Sequence, residues 1–322
     1  MKLFAKPSTA ILGSLSAIVA VFCFSTNDVA IKFISKDYAL HLVVLIRSLV
    51  GLIVLFLFIV PLSGGVKVLY TNRLGLHLLR GFCVVFANIT FFLGLAALPL
   101  AEGVAIFFIS PLLITIFSVV FLKEIVGPRR WAAVTIGLIG VLVILRPGSA
   151  TFQTASLLPL SAAFGYATLH MLTRYIGKTE SAASMSFYIQ LTFLVVCLTL
   201  GLTIGDGKFS GWNDPSLEFL FRAWSWPSSE HYSILILIGT TSAFGGFFIS
   251  QAYRMSEAAI VAPFEYIALP IAIFWGVLVF GEWPDKTTIL GIALILGSGL
   301  YIIWRETVSK DAETPKIPRY RR

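Results

Sequence analysis

Apolar runs of about twenty residues, separated by short polar turns, recur along the whole chain. Each is long enough to cross a hydrocarbon core ~30 Å thick as a helix. They predict spans near 10–34, 39–61, 75–97, 101–122, 129–146, 153–175, 183–205, 232–253, 258–280 and 286–304. One connection, Asp206 to His231, is long and carries Trp212, Trp224 and Trp226. Its SLEFLFRAW portion predicts a short helix at the membrane interface, where indole rings prefer to sit.

The pattern is duplicated. Leu98 to Arg146 returns in altered form at Met255 to Arg305: an apolar run with an internal proline (Pro111, Pro270), a polar turn with a glutamate (Glu124, Glu282), then a Gly-spaced apolar run. LSA at 15–17 answers LSA at 160–162, and KFISK at 32–36 answers RYIGK at 174–178. That register sets Arg47 opposite Gln190 and Asp28 opposite His170. Five spans per repeat is an odd number, so the second half enters the membrane with opposite orientation. The expected fold is an all-α integral membrane protein of ten transmembrane helices in two inverted five-helix repeats, 1–148 and 149–306, followed by a basic tail, 307–322. Such folds place their solute between the halves near the midplane.

Composition agrees: 57% hydrophobic and 12% charged residues leave too little polar surface for a water-soluble domain of this length. The net charge of +8 does not describe a nucleic-acid-binding face, because the basic residues do not gather on one water-facing surface; their densest cluster is the tail (Lys310, Lys316, Arg319, Arg321, Arg322), where anionic lipid or plain solvation accounts for them. Sixteen Lys and Arg fall on one side of the ten-span topology and six on the other, which puts both termini in the cytoplasm. Lys2 and Lys6 ahead of an apolar run imitate a signal peptide, but the Asn27-Asp28 pair and the repeat match argue that the run is retained. Cys23, Cys83 and Cys197 lie in apolar runs without metal spacing, and GxSxG, Walker A, HExxH and dinucleotide motifs are missing, so neither cofactor nor metal nor enzyme chemistry is expected.

LKE and FGE closing the fourth and ninth helices, APFEY with a following proline, and EWPD before the tenth resemble the drug/metabolite transporter superfamily, specifically its EamA-like families, across essentially the whole chain. Asn27-Asp28, Arg80-Gly81, SMSFY at 184–188 and the APFEY…FGEWPD run resemble the branch of bacterial S-adenosylmethionine carriers and riboflavin importers. The resemblance implies a secondary carrier of a small polar metabolite in a bacterial inner membrane. The competing classes are a membrane-embedded acyltransferase-type enzyme and a non-transporting scaffold. The partners expected are the small-molecule substrate, zwitterionic or cationic, membrane lipid, and protons as coupling ion, with the chain a monomer or homodimer.

Ionisable groups at bilayer depth are costly and therefore candidates for function. Arg47, about eight residues into its span, offers a guanidinium fork to a carboxylate or phosphate. It can instead pair with Glu102, Glu265 or a backbone carbonyl. Glu265 sits at similar depth and can take a substrate cation, take a proton, or serve as a static partner. Tyr188 and Gln190 join them as candidate binding residues, with Phe264, Tyr266, Tyr166 and Trp275 as candidate walls. Asp28, Arg80, Glu102 and His170 are the remaining candidates for proton or charge coupling. Each has a structural alternative: Asp28 pairs with Lys32 one turn on, Arg80 snorkels to headgroups, and His170 is a core residue.

Overall fold

The computed structural model describes residues 9–122, 127–149, 152–256, 261 and 264–313. Among them all regular structure is helical: α1 (Thr9–Ile34), α2 (Leu40–Val54), α3 (Leu74–Ala97), α4 (Leu100–Phe107), α5 (Ser110–Leu122), α6 (Pro128–Leu145), α7 (Leu157–Ile176), α8 (Ala182–Ile204), α9 (Pro215–Phe221), α10 (Tyr232–Met255), α11 (Ala268–Phe280) and α12 (Lys286–Glu313). Seven helical stretches are long and apolar enough to cross a membrane, and shorter apolar helices cover Trp131–Leu145, Ala268–Phe280 and Lys286–Tyr301. Glu124, Lys2, Lys6 and the end of the basic tail lie outside the described residues.

Prolines set the irregularities. Pro61 has no N–H to give to a carbonyl four residues back, and α2 continues into it through a π-turn at Leu55–Ile59. Pro111 likewise interrupts the fourth apolar run: α4 stops at Phe107, Ile109 bonds three residues back to Ile106, and α5 starts at Ser110. Ahead of Pro270 the backbone at 266–267 is again a turn, with Ile267 bonding to Phe264, before α11 begins. Both broken stretches are buried in protein, the only setting in which non-helical backbone is tolerated at membrane depth.

Packing comes in matched sets. α1 lies against α10 and α3 against α7; α2 against α10 and α3 against α8; α5 against α7 and α1 against α11. The pairs α2–α8 and α6–α12 join equivalents. Exchanging each first-half helix for its counterpart maps these pairs onto their mates or themselves. The α6–α12 pair is the closest: a Cβ on Gly140 would meet the Gly291 carbonyl at 2.9 Å, and a Cβ on Gly291 the Gly140 carbonyl at 2.7 Å. Without a hydrophobic force between helices in lipid, such backbone contact supplies much of the packing.

Hydroxyls on the lipid-facing side turn inward. Thr26, Thr90, Thr135, Thr168, Thr199 and Thr240 each donate to a carbonyl four residues earlier, which hides a polar group that hydrocarbon cannot solvate. The Trp-rich connection folds as expected into a short helix, α9. Asp214 caps it through the amides of Ser216 and Leu217, and Ser216 Oγ donates to the Leu93 carbonyl at 2.7 Å.

Two ionic corners close one end of the bundle. Lys32 Nζ reaches Glu282 at 2.9 Å and donates to the Leu98 carbonyl, while Glu282 accepts the Leu100 amide at 2.8 Å. Lys32 is therefore engaged away from Asp28, and the expected one-turn Asp28–Lys32 pair does not form. At the second corner Arg146 donates to both oxygens of Asp285, whose Oδ1 also accepts the Thr288 amide at 2.8 Å.

The Arg146 guanidinium, helped by the Thr288 amide, holds the Asp285 carboxyl down at about 2, against about 3.9 in an unfolded chain. A depressed carboxyl contributes stability above its unfolded pKa and loses it as pH falls through the folded one. Asp285→Asn should therefore flatten the acid limb of thermal stability between about pH 4 and pH 2; an unchanged limb in the variant contradicts this. At the α6–α12 contact, Gly291→Ala should cost about 1–3 kcal/mol in detergent unfolding, whereas Gly75→Ala, whose Cβ meets nothing, should be neutral.

Candidate functional site

The helical period of 3.6 brings a few polar residues from each half onto inward stripes. On α1 the stripe is Val21, Phe24, Ser25 and Asp28; on α3 it is Arg80, Val84, Ala87, Asn88 and Phe91; on α7 it is Tyr166, Leu169 and His170; on α8 it is Ser186, Ile189, Gln190 and Phe193. Arg47 of α2, Ser242 and Gly246 of α10, and Glu265 at the broken stretch before α11 complete the wall of one cavity of about 130 Å³. Phe107 and Phe108, at the matching break between α4 and α5, line it too.

Arg47 is 3% exposed, and its Nη1 donates to Asn88 Oδ1 at 2.9 Å. Its Nε and Nη2 have no partner among the described residues. Phe193 and Phe92 lie 4.5 and 5.8 Å from the guanidinium carbon, so ring faces hold the cation without using its N–H edge. Gln190 gives its Nε2 to Ser242 Oγ at 3.3 Å and leaves Oε1 unpartnered; the Ser186 hydroxyl and both ring nitrogens of His170 are unpartnered too. An unmet buried polar group costs about 1–3 kcal/mol, so several of them around one cavity single it out.

Glu265 is differently placed. One oxygen accepts from Tyr166 Oη at 2.9 Å and the other from Tyr253 Oη. His170 is held between those two phenol rings, with centroids at 4.1 and 4.0 Å. Arg47 and Glu265, with these separate partners, do not pair with each other. Asp28 lines the cavity and, among the described residues, makes neither hydrogen bond nor ion pair; Arg47 is the cation whose charge acts on it. Its neighbour Asn27 also borders the cavity but is engaged, donating to the Ile238 carbonyl at 2.8 Å and tying α1 to α10.

Arg80 does not snorkel. It is 2% exposed, and its three nitrogens reach Thr173 Oγ1 at 2.7 Å on α7, the Met185 carbonyl at 3.0 Å on α8 and Ser250 Oγ at 3.0 Å on α10. The sequence position near a span end gave no sign of this, because burial came from neighbouring helices. Tyr188 lies off the cavity stripe of α8: its hydroxyl donates to the Leu69 carbonyl at 3.1 Å and its ring stacks on His77, which is 3.2 Å from Glu180. Tyr266 packs on Phe108 and against Gly299, Phe264 packs into the core, and Trp275 faces a shallow outer groove with Phe22 and Pro270. Glu102 stands at the start of α4, within electrostatic reach of Arg146 and Asp285. Asn88, Ser186 and Tyr253 were not singled out from sequence. Asn88 was visible as a lone amide in an apolar run; Tyr253 carried no signal.

The chain matches the EamA-like transporter family twice, over residues 11–146 and 153–304. It is 28% identical to the S-adenosylmethionine uptake transporter of Rickettsia prowazekii, over 92% of this chain and 94% of that protein. It is 30% identical to the riboflavin transporter of Vibrio cholerae, over 94% and 96%, and 26% identical to a pseudopaline exporter of Pseudomonas aeruginosa, over 88% and 93%. One crystal structure, at 17% identity, shares the fold with a TM-score of 0.67 over 94% of this chain and 99% of that one.

The two buried arginines should respond oppositely to removal. Arg80→Met strands three acceptors and should cost about 3 kcal/mol or more, read by thermal unfolding in detergent. Arg47→Met deletes a poorly satisfied cation and should leave stability unchanged or raised. Equal losses at the two positions would sink the distinction.

Proposed function

The chain belongs to the EamA-like transporter family, and on that footing we propose that it is a secondary carrier that moves a small polar organic metabolite across a bacterial inner membrane by alternating access. It is a transporter rather than an enzyme, as are the family and the named relatives. The proposal includes ten spans in two inverted halves, 1–148 and 149–306, with both termini and the tail 307–322 cytoplasmic. The exchange-related packing pairs and the double family match support the repeat, and the asymmetry of Lys and Arg supports the orientation.

The single observation that carries the reading is the convergence of unpartnered buried polar groups, on Arg47, Gln190, Ser186 and His170, onto one cavity between the halves. A scaffold has no use for them, whereas a solute with hydrogen-bonding groups completes them. The broken stretches at Pro111 and Pro270 both border the cavity, as discontinuous helices do in repeat-built carriers. Arg47, with two free N–H groups in a plane, suits a carboxylate or phosphate. The aromatic lining from Phe91, Phe92, Phe107 and Phe193 suits a flat ring. An S-adenosylmethionine-like, vitamin-like or amino-acid-like solute combines both features, and the relatives are named for solutes of that kind. His170 and the Tyr166–Glu265–Tyr253 group are the candidates for proton coupling.

Uptake into proteoliposomes, with a panel of labelled S-adenosylmethionine, riboflavin, amino acids and quaternary amines, tests this. At least one should accumulate. Arg47→Ala should weaken its apparent affinity about 10- to 100-fold, the scale of a lost charged hydrogen bond, with the protein still folded. No uptake across the panel by folded protein, or unchanged uptake by Arg47→Ala, contradicts the reading.

A further inference from the structure

Two carboxylates border the cavity, and they differ in what remains available on each. Glu265 has both oxygens engaged, one by Tyr166 and one by Tyr253, so its hydrogen-bonding capacity toward the cavity is largely taken. Among the described residues, none takes any of Asp28's capacity. The lysine that would neutralise it one turn along α1 is drawn to Glu282 and the Leu98 carbonyl instead. The neighbouring Asn27 is fixed to α10 through the Ile238 carbonyl, which sets the rotation of α1 and keeps Asp28 on the cavity side. Opposite Asp28 stands Arg47, itself half-satisfied.

We infer that Asp28, and not Glu265, is the cation-binding group of this cavity, and that the solute it takes carries a positive onium or ammonium centre beside its anionic group. The inference rests on the cavity being the solute site proposed above. The solute's anionic group lies on Arg47 and its cationic centre on Asp28, so the two protein charges, close enough to act on each other, are each completed by the ligand. Glu265 is then a positioning group: with its two phenols it holds His170 and the broken backbone before α11 in place. With Asp28 ionised, a neutral solute leaves its charge uncompensated in a largely apolar cavity and an anion adds repulsion to it; both are disfavoured.

The test reads charge at the cavity without needing the natural solute. Cys23, Cys83 and Cys197 are replaced by Ala, and Ser186→Cys places one thiol in the cavity wall. In proteoliposomes, the rates of its modification by trimethylammonium-ethyl and by sulfonato-ethyl methanethiosulfonate are compared. Asp28→Asn should lower the cation-to-anion rate ratio about tenfold, and Asp28→Glu should keep it. Arg47→Met should raise it, and Glu265→Gln should move it less than twofold. A ratio that ignores Asp28→Asn, or that follows Glu265→Gln equally, overturns the assignment, and so does a thiol that reacts with neither reagent. If the ratio behaves as expected but no panel solute is transported, the carrier reading fails while Asp28 keeps its role.

Discussion

A polar side chain in hydrocarbon has no solvent to fall back on, and this requirement shapes nearly every part of the chain. Threonines on the lipid-facing side bond to carbonyls of their own helix. Asn27 is spent on a neighbouring backbone oxygen, and Arg80 on three neighbouring helices. Within the spans, the non-helical backbone at 108–109 and 266–267 lies where protein covers it. Against that background, the cavity between the halves gathers buried polar atoms of Arg47, Gln190, Ser186 and His170 that have no partner among the described residues, and polar groups at that depth mark a candidate site.

The two arginines show how one residue type serves two ends. Arg80 is a fastener, because three acceptors at 2.7 to 3.0 Å leave its guanidinium little left to offer. Arg47 is held by one amide and two ring faces, which orient the group while sparing its N–H edge. Phenyl rings steady a cation without consuming its hydrogen bonds, so the guanidinium is ordered while its N–H edge stays open. Glu265 resembles Arg80 in this respect and Asp28 resembles Arg47, so each charge sign is represented once as structure and once as an open group.

Much of this was legible in the sequence. The apolar runs, the matching prolines and the polar turns located the helices, and depth along a span picked out Arg47, Glu265 and His170. The limits have physical causes. Residues adjacent in sequence point about 100° apart on a helix, so Tyr188 faces away from the cavity that Gln190 lines, and Phe264 and Tyr266 leave the wall to Glu265. The pairing of Lys32 with Glu282 spans most of the chain, and no local rule reveals it; the i, i+4 expectation for Asp28 failed for that reason. Arg80 looked close to water because depth was counted along its own helix, whereas its burial is conferred by α7, α8 and α10.

The Arg80 contacts bear on how the protein is made. All three of its acceptors, Thr173, Met185 and Ser250, are in the second half of the chain. A ribosome delivers α3 to the membrane before it has synthesised α7, α8 and α10, and in that interval a guanidinium near the start of α3 has none of its eventual partners. The first half on its own cannot settle into the conformation it has in the whole chain, so despite their shared ancestry of pattern the two repeats are finished together.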